Sequence, residues 1–355
     1  MMNDSLELLK ELIRCKPVSD RIDCVNRAES VMRNYLESKG LYCVTEQIDG
    51  RSVLYASTLP GKVQDILLNA HLDVVPAPDE MFEPVEKDGR LYARGSADCL
   101  GNAVCIAEIL CRCAGKASVS VFFTADEEIG GSTTAAMVER GYAARKMVLI
   151  LDAAPYSIAH AQKGILTLTL RAHGKGGHSS EPWRLDNPID RLVDGYVKLR
   201  EAWPPLPHDS HWGNTMAPCI LRAGSVSNQV PDTAEMLLNI RYISEEDGQR
   251  IPARIREITG LEVISGMTSS PVFVDESHPM MQKLKQAMEI QFPDHPISFC
   301  RMDGATDARH FVKLGVPVAI LGTCGDGMHS SGEWAELQSL RDYADLLTAF
   351  LTAEK

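Results

Sequence analysis

Three acidic residues in succession, Asp126, Glu127 and Glu128, follow an apolar run in the segment FFTADEEIGG (residues 122–131). Two carboxylates about 4 Å apart repel each other by roughly 1 kcal/mol in water and by about 4 kcal/mol in a partly buried site. A solvated turn before a helix would relieve this repulsion, because the helix N-terminus favours negative charge. A bound metal cation is the alternative, and it would make the acids ligands rather than surface charges.

Further candidate metal ligands follow apolar runs elsewhere in the chain. They are His71 and Asp73 in ILLNAHLDVVP, Asp98 in YARGSADCLGN, Asp152 in VLILDAAP and His329 in VAILGTCGDGMHSSGEW. In an open α/β sheet, side chains just beyond the carboxyl ends of the strands share one crevice. The set of His71, Asp98, Glu128, Asp152 and His329 suits two divalent ions if one carboxylate bridges them. Such pairs of ions, about 3.5 to 4 Å apart, are typical of hydrolytic sites.

Each of these residues has a simpler structural explanation when it is taken alone. An isolated histidine such as His71 is more often packed and hydrogen-bonded than bound to a metal. Asp98 alone would more often be a helix N-cap, and Asp152 a turn residue. Their shared position at predicted strand ends nevertheless favours a metal site.

The composition restricts the class of protein and of partner. The 355 residues are 45% hydrophobic and 24% charged, the balance of a soluble globular protein with room for two domains. A net charge of −12 argues against nucleic acid or an anionic membrane surface as a partner. Ten cysteines occur without a CxxC pair, so we expect a cytoplasmic protein. We expect neither a signal peptide nor a membrane span, because no apolar run approaches about 18 residues.

Alternating apolar runs and helical patterns indicate the fold class. Short apolar runs at residues 66–70, 119–123 and 148–151 alternate with helical patterns at 101–114 and 132–140. This alternation predicts an α/β fold with a mostly parallel sheet covered by helices.

The alternation changes near Gly164. From Ile165 the run ILTLTLRAHG has the period of a half-buried strand, and EMLLNIRY supplies another strand after a helical pattern. The α/β pattern resumes after about residue 273, with helices predicted from Met280, from about Thr306 and from about Trp334 to Phe350. We therefore predict a discontinuous catalytic domain, residues 1–163 and 274–355, with an inserted α+β domain at residues 164–273.

Several motifs occur along the chain in a fixed order. They are HLDVVP, YARGSAD, DEEIGG, GKGGHSSEP, NQVPD before NIRY, DGATDARHF and MHSSGEW. Together they resemble the signatures of the co-catalytic zinc hydrolases, a family that contains aminoacylase, acetylornithine deacetylase, succinyl-diaminopimelate desuccinylase, glutamate carboxypeptidase and carnosinase-type dipeptidases. The resemblance covers nearly the whole chain. It implies a zinc-peptidase-like catalytic domain and an inserted lid domain through which two subunits form a homodimer.

The resemblance implies a metal ligand at each of five positions. His71 and Asp152 would bind one ion, His329 and Glu128 would bind the other, and Asp98 would bridge the two. Zinc is the implied metal, and cobalt and manganese are alternatives for such a carboxylate-rich site.

Three further residues take catalytic or supporting roles by the same resemblance. Asp73 would orient the imidazole of His71, as metal-bound histidines usually require. Glu127 would be the general base that takes a proton from metal-activated water. His178, in GKGGHSS, would reach across the dimer to the developing oxyanion.

Four residues are predicted to bind substrate. Asn228 in SNQVPD and Arg241 in NIRY match positions that hold substrate in the family, and Gly304 and Thr306 in DGATDA resemble its substrate-contact loop. A guanidinium such as that of Arg241 suits a free carboxylate because it can form two hydrogen bonds with it.

Two positions are informative about how this chain compares with the family that it resembles. The family commonly has Lys two residues after the bridging Asp, whereas Asp98 is followed by Cys99 and Leu100. Asp152 stands where many of the family's deacylases and carboxypeptidases have Glu and many of its aminopeptidases and dipeptidases have Asp. This second feature favours peptide substrates.

The sequence thus predicts a zinc-dependent hydrolase that cleaves an amide bond in a small peptide or N-acyl amino acid with a free carboxylate. One alternative is an N-acyl-amino-acid deacylase, such as acetylornithine deacetylase or a desuccinylase. A second alternative is a non-catalytic small-molecule binding protein, which the retention of Glu127 and all five ligand positions disfavours.

Overall fold

The computed structural model of the protein describes residues 2–209 and 212–353. The helices of these residues are α1 (Met2–Arg14), α2 (Ile22–Ser38), α3 (Leu100–Cys113), α4 (Ser132–Glu139), α5 (Pro188–Ala202), α6 (Glu245–Thr259), α7 (Pro279–Gln291), α8 (Ala308–Phe311) and α9 (Leu337–Ala353). The first strands are β1 (Tyr42–Ile48), β2 (Arg51–Ser57), β3 (Val63–His71), β4 (Val85–Lys87), β5 (Arg90–Tyr92), β6 (Val119–Thr124), β7 (Ala143–Leu151), β8 (Ser157–Gln162), β9 (Gly164–His173) and β10 (Gly177–His178). The remaining strands are β11 (Thr215–Ala223), β12 (Gln229–Val230), β13 (Thr233–Tyr242), β14 (Glu262–Ser269), β15 (Val272–Phe273), β16 (Ser298–Met302), β17 (Val318–Leu321), β18 (Gly325–Asp326) and β19 (Trp334–Glu336).

Contacts between residues divide the chain into two units. The first unit comprises Met1–His160, Phe273–Cys300 and Thr306–Lys355, and the second unit comprises Ala161–Val272 and Arg301–Ala305. The insertion predicted at residues 164–273 differs from the second unit by a few residues at each end and lacks the short segment from later in the chain.

The first unit is built on a sheet with the strand order β1-β2-β6-β3-β7-β17-β8. The four central strands β6, β3, β7 and β17 are parallel to one another, whereas β1, β2 and β8 are paired antiparallel. Every residue of β6 is buried, as expected of a strand in a sheet flanked by helices. The predicted α/β fold with a mostly parallel central sheet is confirmed.

Helix α3 links the core of the first unit to the loop that carries Asp98. Nearly all of its residues are buried, and it packs against β3, β6, α1 and α9. A helix that is apolar on all sides is expected to lie inside a domain. Gly101 in its first turn is required by packing, because a Cβ atom there would overlap the carbonyl oxygen of Ser96. The packing of this helix therefore fixes the position of the residues that directly follow Asp98.

A smaller sheet of the first unit holds two distant loops together. Its strand order is β18-β19-β5-β4, and Trp334 of β19 pairs with Tyr92 of β5. The loop after β5 leads to Asp98, and the loop between β18 and β19 carries His329. This pairing keeps the Asp98 and His329 loops adjacent although they are far apart in sequence.

The second unit has an α+β fold with one layer of helices packed against one antiparallel sheet. Its antiparallel sheet has the order β11-β13-β9-β14, and α5 and α6 pack against it. Alternate residues of β9, namely Leu166, Leu168 and Leu170, are buried, and the threonines between them are partly exposed. This alternation is the pattern of a strand with one face on a core.

The structure differs from the sequence-based prediction at two helices. The helix expected from about Thr306 is one turn of α-helix at Ala308–Phe311 that continues into a 3-10 turn. The last helix begins at Leu337 rather than Trp334, because strand pairing with β5 takes up Trp334–Glu336 and overrides helical propensity. Within the described residues, none of the helices combines the length and apolar character needed to cross a bilayer.

Candidate metal centre

The carboxyl ends of three neighbouring parallel strands carry the predicted ligands. Strand β3 ends at His71, β6 ends three residues before Glu127, and β7 ends immediately before Asp152. His71 is opposite Thr124 in the parallel register, and β7 flanks β3 on its other side. Since the ends of parallel strands meet at one edge of a sheet, these side chains converge there.

Two groups of candidate ligand atoms form at this edge. One contains His71, Asp98, Cys99 and Asp152, and the other contains Asp98, Glu128 and His329. Within each group the ligand atoms lie within 4.8 Å of one another. Asp98 belongs to both groups, which is the position expected of a bridging carboxylate. The structure therefore brings together all five residues that were predicted as ligands.

The hydrogen bonding of His71 leaves one ring nitrogen facing a carboxylate. Its Nδ1 lies 2.9 Å from the carbonyl oxygen of Asp73, which can only accept, so Nδ1 carries the proton of the neutral ring. Its Nε2 then carries a lone pair and lies 3.0 Å from Oδ1 of Asp98. Although burial lowers the pKa of His71, the neighbouring Cys99, Asp73 and Asp98 raise it well above the ordinary value. Two acceptors this close require a proton or a metal ion between them.

The second group contains an unsatisfied carboxylate oxygen. Nε2 of His329 lies 3.2 Å from Oδ2 of Asp98 and 3.2 Å from Oε2 of Glu128. The other oxygen of Glu128, Oε1, is buried and has no hydrogen-bond partner among the described residues. Burying an anionic oxygen without a donor is unfavourable, and a divalent cation would satisfy it. The nitrogen and oxygen donors of both groups thus fit a pair of divalent ions.

Burial and neighbouring charges shift the pKa values of the ionisable side chains at this site. Burial raises the pKa of Glu127 to about 8. Burial, and secondly the charge of Asp98, raise the pKa of Asp152 well above its ordinary value. For Asp98, burial acts to raise the pKa, but His329 and His71 outweigh it and hold the pKa below its usual value. A hydrogen bond with Asp98 is the main cause that raises the pKa of His329 to about 9. A cation placed next to these carboxylates would therefore be stabilised.

Asp73 holds several parts of the site at once. Its Oδ1 accepts a hydrogen bond from the backbone N–H of Glu127 at 3.1 Å, and its Oδ2 accepts one from the N–H of Glu128 at 3.3 Å. The hydroxyl of Ser19 also donates to Oδ2 at 2.7 Å. Towards His71, the Asp73 carbonyl oxygen is a nearer partner than the carboxylate, which lies 3.6 Å from Nδ1. Asp73 thus orients the two glutamates as well as the imidazole.

The three consecutive acids divide into one structural residue and two residues at the site. The carboxylate of Asp126 accepts hydrogen bonds from the N–H of Thr133 at 3.1 and 3.2 Å and from the hydroxyl of Ser132 at 2.6 Å. Asp126 is therefore a buried acceptor for the first turn of α4, whereas Glu127 and Glu128 form a 3-10 turn at the strand end. The solvated turn considered for these acids does not describe Asp126, which is buried.

Glu333 and Arg94 fix the loop that carries Asp98. Oε1 of Glu333 accepts hydrogen bonds from the N–H groups of Ala97 at 3.0 Å and Asp98 at 3.1 Å, and Oε2 accepts one from Nη1 of Arg94 at 2.6 Å. Both charged side chains are buried. Glu333 lies in the motif MHSSGEW, but no role was predicted for it.

Two more contributors to the site had no predicted role. Nη1 of Arg309 lies 3.8 Å from Oε1 of Glu127, and both side chains are largely buried. Arg309 lies in the motif DGATDARHF, so the sequence contained a pattern that could have identified it as a site residue. Ser19, the hydroxyl donor to Asp73, lies outside every motif, and no pattern in the sequence identifies it.

The residues after Asp98 keep the loop ordered despite their departure from the family pattern. Leu100 is buried in the core, and the Asn102 side chain donates to the carbonyl oxygen of Ala97 at 3.2 Å. Oδ1 of Asn102 accepts hydrogen bonds from the N–H and the hydroxyl of Thr323 at 3.3 and 2.9 Å. These bonds connect the loop to the chain beyond β17.

The second unit brings two of its predicted residues together. Strand β10, which contains His178, pairs with β12, and the N–H of Ser179 donates to the carbonyl oxygen of Asn228 at 3.0 Å. His178 is exposed, and its Nδ1 accepts a hydrogen bond from the N–H of Ser180 at 3.2 Å. In the neutral ring the proton is therefore on Nε2, which can donate to an anion.

Arg241 lies far from this pair within the second unit. His178 lies in the separate two-stranded sheet β10-β12, which follows the end of β9 and precedes the start of β13 at Thr233, and Asn228 directly precedes β12. Arg241 is eight residues further along β13 than Thr233. At about 3.4 Å per residue, the separation along β13 is roughly 27 Å.

The two residues predicted from DGATDA differ in their surroundings. Gly304 is exposed, and no heavy atom among the described residues lies within 4 Å of a Cβ built on it. Thr306 is buried, and its hydroxyl accepts a hydrogen bond from the N–H of Ala308 at 3.2 Å at the start of α8. Substrate contact by either residue stays a prediction.

Sequence comparisons identify relatives over nearly the full chain. The model of Peptidase family M20/M25/M40 matches residues 67–353. Succinyl-diaminopimelate desuccinylase of Rhodospirillum centenum is 29% identical over 370 residues, with 94% of this chain and 92% of that protein covered. Succinyl-diaminopimelate desuccinylase of Gluconobacter oxydans is 27% identical over 383 residues, with 98% and 97% covered.

Solved structures share the fold. Aminopeptidase PepT from Bacillus cereus matches with a TM-score of 0.82 at 17% identity, covering 99% of this chain and 98% of that one. The metallo-carboxypeptidase Sso-CP2 from Sulfolobus solfataricus matches with a TM-score of 0.79 at 17% identity, covering 98% of both chains. The resemblance to the co-catalytic zinc hydrolases is thereby confirmed. The chain belongs to Peptidase family M20/M25/M40 and is a metal-dependent hydrolase of amide bonds.

Proposed function

We propose that the protein cleaves the amide bond of a small peptide or N-acyl amino acid that carries a free carboxylate, with two zinc ions as cofactors. One observation carries this proposal, namely the two ligand groups that share Asp98 at the strand ends. His71 and Asp152 would hold one ion, and Glu128 and His329 the other. The mixture of imidazole and carboxylate donors suits zinc, and cobalt or manganese would also fit.

Bound ions would polarise the amide carbonyl and lower the pKa of a water molecule towards neutrality. Glu127 supplies the proton transfer, because its carboxylate can accept the water proton and later deliver it to the leaving nitrogen. Its side chain is only 12% exposed, its backbone N–H is bound by Asp73, and Arg309 lies 3.8 Å from its carboxylate. These contacts hold the base in one position between the two transfers.

We also propose that the protein acts as a homodimer, and the distribution of residues in the second unit supports this. His178 would donate its Nε2–H to the oxyanion, and Arg241 would bind the substrate carboxylate. A dipeptide spans about 7 Å, much less than the roughly 27 Å that separate these two residues along β13. This separation supports the proposal that one of the two residues at each site comes from a second copy of the chain.

An apolar face on α5 supports an interface in the second unit. Ile189, Val193 and Val197 recur every four residues along this helix, and all three are exposed in the single chain, by 36%, 46% and 48%. Contiguous exposed apolar side chains of this kind are typical of protein contacts. We propose that this face lies in the dimer interface.

A deacylase of the desuccinylase type is the second candidate. Both curated relatives described above are named succinyl-diaminopimelate desuccinylase, at 27% and 29% identity. Asp152 at the first ligand group points instead to peptides, because many peptidases of the family have Asp at this position. The two candidates share the metal centre and Glu127 and differ in the acyl group that the site accepts.

A substrate panel separates these possibilities. Zinc-loaded protein would be given dipeptides, N-acetyl amino acids and N-succinyl amino acids, each with a free and an amidated carboxylate. We expect cleavage of at least one class in the free-carboxylate form and loss of cleavage on amidation. A strict preference for N-acyl compounds would favour the second candidate. Absence of cleavage of every compound by metal-loaded protein would contradict both, and Glu127→Gln protein measures the background from contaminants.

We also propose that the protein resides in a reducing compartment such as the cytoplasm. All ten cysteines fall within the described residues, and all are free thiols. Free cysteines in this number are typical of proteins outside the secretory route.

A further inference from the structure

The thiol of Cys99 is part of the first ligand group. Its Sγ lies within 4.8 Å of candidate ligand atoms from His71, Asp98 and Asp152. The side chain is fully buried, and it donates a hydrogen bond to the carbonyl oxygen of Leu151 at 3.0 Å. Cys99 is therefore surrounded by an imidazole and carboxylates rather than by apolar side chains alone.

The buried Cys105 in helix α3 has different surroundings. Cys105 is also buried and lies 3.4 Å from the carbonyl oxygen of Leu340, yet it belongs to neither ligand group found among the described residues. Most buried thiols behave as small apolar side chains, and Cys105 fits that description. Cys99 differs in having three potential ligands of one ion within reach.

We propose that Cys99 is a thiolate ligand of the metal ion held by His71 and Asp152. The inference rests on the proposed function, since it requires the metal centre. One nitrogen, two carboxylate oxygens and one sulfur would then fill four positions on this ion. The water activated for hydrolysis would bind the other ion, which has the three protein ligands Asp98, Glu128 and His329. On coordination the sulfur donates a lone pair to the ion, the thiol proton passes to solvent, and the hydrogen bond to Leu151 is lost. No change of oxidation state takes place.

The two metal positions then differ in chemical preference. A thiolate favours soft or borderline ions such as zinc, cobalt and cadmium, whereas carboxylate and imidazole ligands also accept manganese. The position with Cys99 selects the softer ions. The position formed by Asp98, Glu128 and His329 has only nitrogen and oxygen donors and is more permissive.

X-ray absorption at the zinc edge tests this ligand directly. Wild-type protein loaded with two equivalents of zinc should show a sulfur shell at about 2.3 Å, in addition to nitrogen and oxygen at about 2.0 to 2.2 Å. Cys99→Ser should lose the sulfur shell, while the matched control Cys105→Ser should retain it. Cobalt-loaded samples give a second readout, since a sulfur-to-cobalt charge-transfer band should be present in the control and absent in Cys99→Ser. Cadmium should bind Cys99→Ser at least roughly tenfold more weakly than wild type, by analogy with the effect of removing supporting groups.

The outcomes distinguish this inference from the proposed function. Two bound zinc ions with only nitrogen and oxygen neighbours would overturn the role of Cys99 and leave the metal centre intact. A sulfur shell that persists in Cys99→Ser would overturn it as well. Failure of wild-type protein to bind zinc would contradict the proposed function itself. If circular dichroism shows that Cys99→Ser is unfolded, Cys99→Ala replaces it, and a sulfur-free wild-type spectrum still rejects the inference.

Discussion

The two units of the chain carry their candidate functional residues in different ways. In the first unit the ligands lie at the ends of β3, β6 and β7 and in two paired loops, and four of the five are buried or partly buried. In the second unit His178 is exposed, and Arg241 lies at the far end of β13. The first unit therefore positions its candidate metal ligands with its own core, whereas one of the residues proposed to bind substrate is proposed to come from a second copy of the chain.

Removing the proposed base should have the largest effect on catalysis. Glu127→Gln preserves size but cannot take a proton, so we expect turnover to fall by roughly 10² to 10⁴-fold, the range for general-base catalysis. Metal content should stay at the wild-type value, because Glu127 belongs to neither ligand group. Steady-state kinetics and elemental analysis measure both quantities. The exposed Glu80→Gln serves as control, and unchanged turnover in Glu127→Gln would remove this residue as the base.

Breaking the buried ion pair next to Asp98 should strongly destabilise the first unit. Glu333→Ala leaves the Arg94 charge buried and deprives two N–H groups of their acceptor, so we expect a loss of about 3 to 5 kcal/mol in the free energy of unfolding.

Urea unfolding gives the value, with Glu139→Ala as the matched control. Glu139 pairs with Lys313 at the surface, both side chains 66% exposed, so its removal should cost about 1 kcal/mol or less. Equal losses in the two variants would show that the Glu333 network does not hold the site.

Mixed dimers test whether the His178 that acts at a site comes from the same chain or from the partner chain. His178→Ala alone should reduce turnover by roughly 10² to 10³-fold, as expected when an oxyanion donor is lost. Co-expressed Glu127→Gln and His178→Ala chains, purified by two different tags, should regain activity. One site of each mixed dimer then combines an intact Glu127 with an intact His178 from the partner chain.

The control pairs Glu127→Gln with a chain that carries both substitutions, and it should stay inactive because no intact base is present. If the mixed dimers of single variants also stay inactive, His178 acts within its own chain or not at all. The proposal that a second copy of the chain supplies His178 would then be wrong.

The sequence predicted the metal-ligand candidates because strand ends leave a clear pattern. His71 and Asp152 directly follow apolar runs that are long enough to be identified as buried strands, and the topology of parallel sheets brings such ends together. The same reasoning found the α/β class and the antiparallel strands of the second unit. These features depend on periodicity, which a single sequence contains.

The supporting contacts could not be predicted, because they depend on loop conformation rather than periodicity. Ser19 and Glu333 act through hydrogen bonds to Asp73 and to backbone groups beside Asp98, and their partners are distant in sequence. Strands such as β18 and β19 contain two or three residues, too few to show an alternating pattern. The proximity of Cys99 to His71 and Asp152 likewise emerges only from the folded chain.

Anomalous scattering from crystals of zinc-loaded protein, recorded at the zinc edge, tests the central claim most directly. We expect two peaks, one bounded by His71, Asp98 and Asp152 and the other by Asp98, Glu128 and His329. Peaks that lie away from Asp98, or no peak at these side chains in crystals soaked with zinc, would contradict the account.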